Sequence, residues 1–186
     1  CALPICVLKW LCGGPGGAFL WVRPGLRKKL TPKITGWFAH QEPFAFSRSM
    51  KYSRTAFRFL NGTPSIPALY ASSEGPKIIS KVGISNIRKK SIRQTSLLTE
   101  KAREHGFSVL TPLNPDERGG TVSVHVPHGY EVSRELLRRN IIIDYRKGSG
   151  IRIAPHFYNS DDEVRLVIDQ IKEILDTKAY RKQNQK

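Results

Sequence analysis

The sequence predicts an α/β protein in two parts, the end of one domain followed by a smaller α+β domain. Three observations predict it: a short apolar strand between glycines near the start, helical periodicity in the middle, and alternating strands before an amphipathic helix near the end. The chain has 186 residues, 39% of them hydrophobic, which is enough to form a core. We place the first part at 1–64, the second at 65–176 and a frayed basic tail at 177–186.

The first part is predicted to present a lysine beside a strand. Ala18–Val22 is an apolar run typical of a buried strand, and the glycine-rich segment 13–17 before it forms a turn. Lys9 precedes that turn within an apolar segment. Residues 31–64 lack a regular period and predict a long irregular segment that crosses the surface or lines a site.

The second part alternates helices and strands. Helices are predicted over 65–81 and 84–105, then the order β-β-α-β-β, and a last helix after the Ser160–Glu163 capping box. The predicted strands are Phe107–Leu110, Thr121–Val126, Ile141–Ile143 and Ile151–Ala154, with a helix at Tyr130–Arg139.

Composition narrows the class of protein. The net charge of +16 comes from scattered basic residues, which we interpret as solvated helix faces. Nucleic-acid binding is a distant alternative because no recognition motif accompanies the charge. Three cysteines within twelve residues favour a reducing, cytoplasmic setting, and neither a metal site nor a membrane span is predicted.

Lys9 is the residue that most needs an explanation. It lies among Val7, Leu8, Trp10 and Leu11, and a lysine buried in an apolar strand is costly unless it is paired or chemically used. Burial favours the uncharged, nucleophilic form of an amine, which forms Schiff bases. The alternative is a strand-end lysine whose amine reaches solvent.

Four sequence blocks, in order, resemble kynureninase and the related class V aminotransferase family of fold type I. They are Val7-Leu8-Lys9-Trp10-Leu11-Cys12-Gly13-Gly14-Pro15-Gly16-Gly17, Gly36-Trp37-Phe38-Ala39-His40, Asn61-Gly62-Thr63-Pro64, and Ile143-Asp144-Tyr145-Arg146 with Gly150-Ile151-Arg152-Ile153. The resemblance implies the end of a large domain that binds pyridoxal 5'-phosphate (PLP), an α+β small domain, and a homodimeric enzyme with an amino acid substrate.

The resemblance also implies roles for single residues. Lys9 would form the Schiff base with PLP and then act as acid and base, while Trp37 and Thr63 would contact the cofactor phosphate. Arg152 would bind the substrate carboxylate, and His40 would face the substrate. From the residues alone, an ion pair between Arg152 and Asp144 is an equal alternative.

The reaction implied is kynureninase-like hydrolysis of kynurenine or a related amino acid, as in tryptophan catabolism and NAD biosynthesis. The alternative is a class V aminotransferase or a cysteine desulfurase-like lyase. Leu8 stands where kynureninases typically have tyrosine, which favours a relative with a different substrate. Residues 1–6 resemble a translated sequencing adapter, so we expect an N-terminal half with further cofactor contacts, and little activity from this chain alone.

Overall fold

An antiparallel pair of strands, β1 (Ala2–Cys6) and β2 (Ala18–Val22), begins the computed structural model, which describes residues 2–181. The strands pair from Ala2 opposite Val22 to Cys6 opposite Ala18, so residues 7–17 form the loop between them. Strand β2 has the predicted bounds, but the expectation that it is a buried strand is wrong, because four of its five residues are exposed and only Val22 is buried. Strand β1 covers most of the segment that resembles an adapter.

An irregular segment follows, as predicted for residues 31–64. After the short helix α1 (Pro24–Arg27), the chain makes three single turns of 3₁₀ helix, at Trp37–Ala39, Pro43–Ala45 and Ala56–Phe59. An isolated bridge pairs His40 with Tyr52. Residues 40–52 therefore form a loop whose two ends lie side by side.

Helix α2 (Ile66–Val82) begins where the irregular segment ends, within a residue of the prediction. The chain divides into two units between Val82 and Gly83, so α2 belongs to the first unit. The sequence pattern predicts this division after residue 64. The difference arises because the buried residues of α2, Ser72 and Gly75, lie against the loop at 7–17.

The second unit is a four-stranded antiparallel sheet with helices on one face. The strand order is β3-β4-β6-β5, which makes β6 an inner strand. Within residues 2–181, every helix is too short or too polar to span a lipid bilayer. The elements of this unit are α3 (Ile84–Glu104), β3 (Ser108–Val109), β4 (Val122–His125), α4 (Gly129–Arg138), β5 (Asp144–Arg146), β6 (Gly150–Ile153) and α5 (Asp161–Asp176).

The core of the second unit lies between the sheet and its helices. The predicted alternation of β4 is confirmed, because Val122 and Val124 are fully buried while His125 is exposed. Helix α5 begins at the predicted capping box, with both reciprocal hydrogen bonds between Ser160 and Glu163. Its apolar face buries Val164, Val167, Ile168, Ile171 and Ile174.

The predicted strand at Ile141–Ile143 is wrong. Asn140 adopts a left-handed conformation with φ of 61° and ends α4, and the Ile141 N–H then donates to the Leu136 carbonyl at 2.9 Å. That amide completes the helix end and does not join the sheet. Pairing begins only at Asp144, and Ile142 is left 86% exposed.

The tail is partly ordered by packing. Tyr180 is buried, and its ring stacks on His128 with centroids 4.4 Å apart. The predicted frayed segment at 177–186 therefore does not begin at residue 177, because a buried aromatic ring anchors Tyr180 to the core. The rest of that predicted tail, 182–186, lies outside the described residues.

Candidate active site

Lys9 lies in the turn that follows β1, and its side chain is exposed. The expectation that it sits buried in an apolar strand is wrong. Strand β1 ends at Cys6, and within residues 7–11 only Val7 is buried. The neighbouring Leu8 and Trp10 are also exposed, at 47% and 44%. The apolar residues next to Lys9 therefore lie at the surface and do not form a buried strand.

Hydrogen bonds within the loop hold the Lys9 turn in shape. The Cys12 N–H donates to the Lys9 carbonyl at 3.0 Å, and the Gly13 N–H donates to the Val7 carbonyl at 2.8 Å. Cys12 adopts φ of 52°, a left-handed conformation that is uncommon outside glycine. The amine is thus carried by a short turn whose main chain is tied on both sides of it.

The segments of Trp37 and Thr63 lie side by side. The Phe38 N–H donates to the Asn61 carbonyl at 3.2 Å, and a β carbon on Gly36 would lie 2.2 Å from that carbonyl oxygen. Glycine is needed at 36 because the two backbones touch there. The exposed Thr63 and the Trp37 indole, 38% exposed, are donors of the kind that phosphate accepts.

His40 carries a buried nitrogen that lacks a partner among the described residues. Its Nδ1 lies 2.9 Å from the Glu42 N–H, and its Nε2 is the unpartnered atom. Nδ1 also lies 2.8 Å from the Glu42 carbonyl oxygen, so it accepts from the Glu42 N–H in one tautomer and donates to that carbonyl in the other, and Nε2 is a donor or an acceptor accordingly. A buried polar nitrogen without a partner costs about 1–3 kcal/mol, so this position fits a polar group of a ligand.

Arg152 lies on the inner strand β6, on the face of the sheet away from the core. Its neighbours across the sheet are Ser123 on β4 and Asp144 on β5. The Arg152 Nη1 is 3.2 Å from the Asp144 Oδ2, which Arg146 also contacts at 2.9 Å. The ion-pair alternative is therefore real. A guanidinium has five N–H groups, so one carboxylate contact leaves donors for a second anion.

The first unit is electrostatically suited to anions. The sequence up to Val82 contains twelve lysines and arginines, and its acidic residues are Glu42 and Glu74. Glu74 is engaged with Lys77 at 2.7 Å, and this contact lowers the pKa of Glu74 below its ordinary value. A surplus of this size favours phosphate and carboxylate ligands over cations.

Some of the predicted site residues lie in segments that contact one another, and Arg152 lies in a different unit of the chain. Backbone hydrogen bonds join the Trp37 and Thr63 segments, and α2, which packs on the Lys9 turn, begins three residues after Thr63. Arg152 belongs to the second unit. Gly75 on α2 was not among the predicted site residues, although a glycine inside a predicted helix can signal close packing.

The fold is shared with solved enzymes of the class V group. A cysteine desulfurase from Thermococcus onnurineus matches with a TM-score of 0.83 and 22% identity, covering 95% of this chain and 47% of that one. An alanine–glyoxylate aminotransferase from Nostoc matches with a TM-score of 0.68 and 20% identity, covering 94% and 48%. The chain therefore has the fold of the C-terminal part of class V enzymes of fold type I.

Sequence comparison narrows this class. Residues 87–171 match the model of the kynureninase C-terminal domain. Kynureninase from Pseudomonas fluorescens is 33% identical over 181 residues, and that from Burkholderia mallei 31% over 182, covering 94% and 95% of this chain. The chain spans 44% of the length of these relatives. Over nearly its whole length the chain therefore resembles part of the kynureninases, within the class V aminotransferase group.

Proposed function

We propose that the protein is a PLP-dependent enzyme that hydrolyses the Cβ–Cγ bond of kynurenine or a closely related amino acid. The observation that carries the proposal is its 33% identity to a kynureninase over nearly the whole chain. The cofactor is supported by a solved neighbour with a TM-score of 0.74, a C-DES variant described with glycine covalently linked to PLP. Since the chain spans 44% of its relatives, the proposal concerns the whole protein.

The residues of this chain fit such a cofactor. Bound PLP supplies an electron sink that stabilises negative charge at the substrate α-carbon. The Lys9 amine, exposed on a turn tied by hydrogen bonds, holds the cofactor and then moves a proton at that carbon. The Trp37 indole N–H and the Thr63 hydroxyl or N–H donate to phosphate oxygens. The buried His40 Nε2 supplies a hydrogen-bonding group to substrate or cofactor.

Arg152 orients the substrate by its α-carboxylate. The planar guanidinium lies beside Asp144 on a rigid inner strand, which restricts its rotation before the substrate arrives. Catalysis in the complete protein is proposed to take place in a homodimer in the cytoplasm. Analytical ultracentrifugation of the full-length protein tests the dimer.

The decisive experiment replaces the lysine. Full-length Lys9→Arg protein, incubated with PLP and reduced with borohydride, should contain no labelled peptide from residues 7–17, because a guanidinium does not form the Schiff base. The matched control, Lys33→Arg, changes another exposed lysine of the first unit and should label as the unaltered protein does. Labelling of Lys9→Arg at the unaltered level would refute the assignment.

A second reaction has specific support. Leu8 is exposed and cannot donate a hydrogen bond where kynureninases typically have tyrosine, and the desulfurase neighbour has a TM-score of 0.83. These observations favour a class V lyase or aminotransferase with a different amino acid. Assays of the full-length protein separate the candidates, since kynurenine hydrolysis releases anthranilate and alanine, desulfuration of cysteine releases sulfur, and transamination consumes a keto acid.

A further inference from the structure

Where helix α2 contacts the Lys9 turn, the turn contributes main-chain atoms. A β carbon built on Gly75 would lie 1.9 Å from the Leu11 carbonyl oxygen and 2.7 Å from the carbonyl group of Cys12. Real β carbons essentially never approach another heavy atom within 3.0 Å. Gly75 is buried, so the absence of its side chain is what lets the helix meet the turn.

A second contact, one helical turn earlier, has the same character. A β carbon on Gly17 would lie 1.9 Å from the Ser72 hydroxyl oxygen, and Ser72 is 1% exposed. The hydroxyl donates to the Ala68 carbonyl at 2.5 Å, so it is held against its own helix. The loop at 7–17 therefore contacts one face of α2 both at its middle and at its last residue, in each case at a position occupied by glycine.

This contact occurs where α2 carries residues that do not favour a helix. Glycine inside a helix costs about 1 kcal/mol relative to alanine, and proline about 3 kcal/mol. Gly75 is followed by Pro76, whose missing N–H leaves the Ser72 carbonyl without its helical donor. The helix tolerates this pair at the position where its backbone meets the turn, and a contact that requires glycine accounts for its presence there.

We propose that Gly75 is a positioning residue for Lys9, setting the place of the amine by supporting the main chain of Leu11 and Cys12. These two residues follow Lys9 closely, and the Cys12 N–H is bonded to the Lys9 carbonyl. The left-handed φ of Cys12 leaves little freedom to absorb a shift locally. A displacement at Leu11 is therefore passed to Lys9. The inference rests on the proposed role of Lys9.

The test is Gly75→Ala in the full-length protein. The added methyl must move from 1.9 Å to at least 3.0 Å from the Leu11 oxygen, a displacement of about 1 Å. Misplacing a reacting group by 1 Å costs roughly a hundredfold in rate. We expect the rate of borohydride-trapped PLP capture at Lys9 to fall by roughly that factor. The visible absorbance of the bound cofactor and the pH at which it titrates should also shift.

Two glycines in the same unit provide matched variants. Gly25 on α1 has nothing within 4 Å of a built β carbon, so Gly25→Ala should leave capture and absorbance unchanged. Gly14→Ala places a methyl 3.1 Å from the Ala71 β carbon, a side-chain contact that yields by a few tenths of an ångström. It should therefore shift the same readings in the same direction as Gly75→Ala, but less.

The outcomes separate the two proposals. Should Lys9 label in the unaltered protein but equally fast in Gly75→Ala, with the same absorbance, the positioning role is overturned while the role of Lys9 stands. An unaltered protein that labels at another lysine overturns the role of Lys9 instead. If Gly75→Ala does not fold, as judged by thermal unfolding, Gly14→Ala decides: an intermediate shift supports the inference, and none overturns it.

Discussion

Replacing Arg152 tests the proposed recognition of the substrate carboxylate. A charge-assisted hydrogen bond contributes about 1.5–3 kcal/mol, and a guanidinium can donate two to one carboxylate. The Arg152 side chain is 40% exposed, so the lower end of that range applies. Two such bonds give about 3 kcal/mol, and Arg152→Ala should weaken binding of the amino acid roughly a hundredfold.

The ion pair with Asp144 does not change that magnitude much. Exposed pairs contribute about 0–1 kcal/mol, and the Asp144 side chain is 47% exposed. Arg146 provides the matched control, because it contacts the same Asp144 oxygen at 2.9 Å and is 63% exposed. Arg146→Ala removes an equal charge from the same group and should change substrate binding by about fivefold at most.

The assay compares two ligands of the full-length protein. Dissociation constants are measured from cofactor absorbance for an unreactive amino acid analogue and for the same compound without its carboxyl group. The preference for the acid should collapse roughly a hundredfold in Arg152→Ala and persist in Arg146→Ala. The reasoning fails if Arg152→Ala keeps the preference, or if both variants lose it equally.

Two further predictions concern the second unit. Ile168 is fully buried, so Ile168→Ala should lower the free energy of unfolding by about 2–5 kcal/mol in denaturant titrations, while Leu166→Ala, at a half-exposed position, should cost less than about 1 kcal/mol; equal losses would contradict the placement of the core. The N–H of Ser160 lowers the pKa of Glu163 below its ordinary 4.5, so this carboxylate stabilises the fold above that pH and the contribution is lost as the pH falls. Glu163→Gln should therefore flatten the loss of stability on acidification, and an unchanged acid slope would contradict this account.

Elements with a strong local signal could be predicted from the sequence. The last helix carries a capping box and an apolar face of helical spacing, and it begins where those signals place it, after Ser160. Strand β4 alternates valines with polar residues, so one face had to be buried. In both cases local preference and long-range packing favour the same structure.

The apolar runs at 7–11 and 141–143 were misinterpreted for a common reason. A run of three to five apolar residues is compatible with a strand, with a helix end or with an exposed surface, and its letters do not distinguish them. At 141 the left-handed Asn140 directs the next amide back to the helix. After Cys6 the chain turns, and the side chains of Leu8 and Trp10 face outward.

The sequence proposes which residues form the candidate site, but it does not show how the chain arranges them. Lys9, Trp37 and Arg152 were proposed from residue type and motif. The ion pair between Arg152 and Asp144 stayed an alternative to substrate binding until the register of β5 against β6 was known. His40 was predicted to face substrate, but the burial of its Nε2 and its bridge to Tyr52 are seen only in the structure. Contacts of that kind leave no local pattern.

Two glycines allow backbone contacts that the sequence pattern did not predict. At Gly36 the Trp37 segment meets the backbone of Asn61, and at Gly75 helix α2 meets the backbone of Leu11. Each contact brings together chain segments that carry proposed site residues, and each is possible only because glycine has no β carbon. A motif therefore identifies the groups that do chemistry, whereas the glycines that let two backbones touch determine where those groups lie.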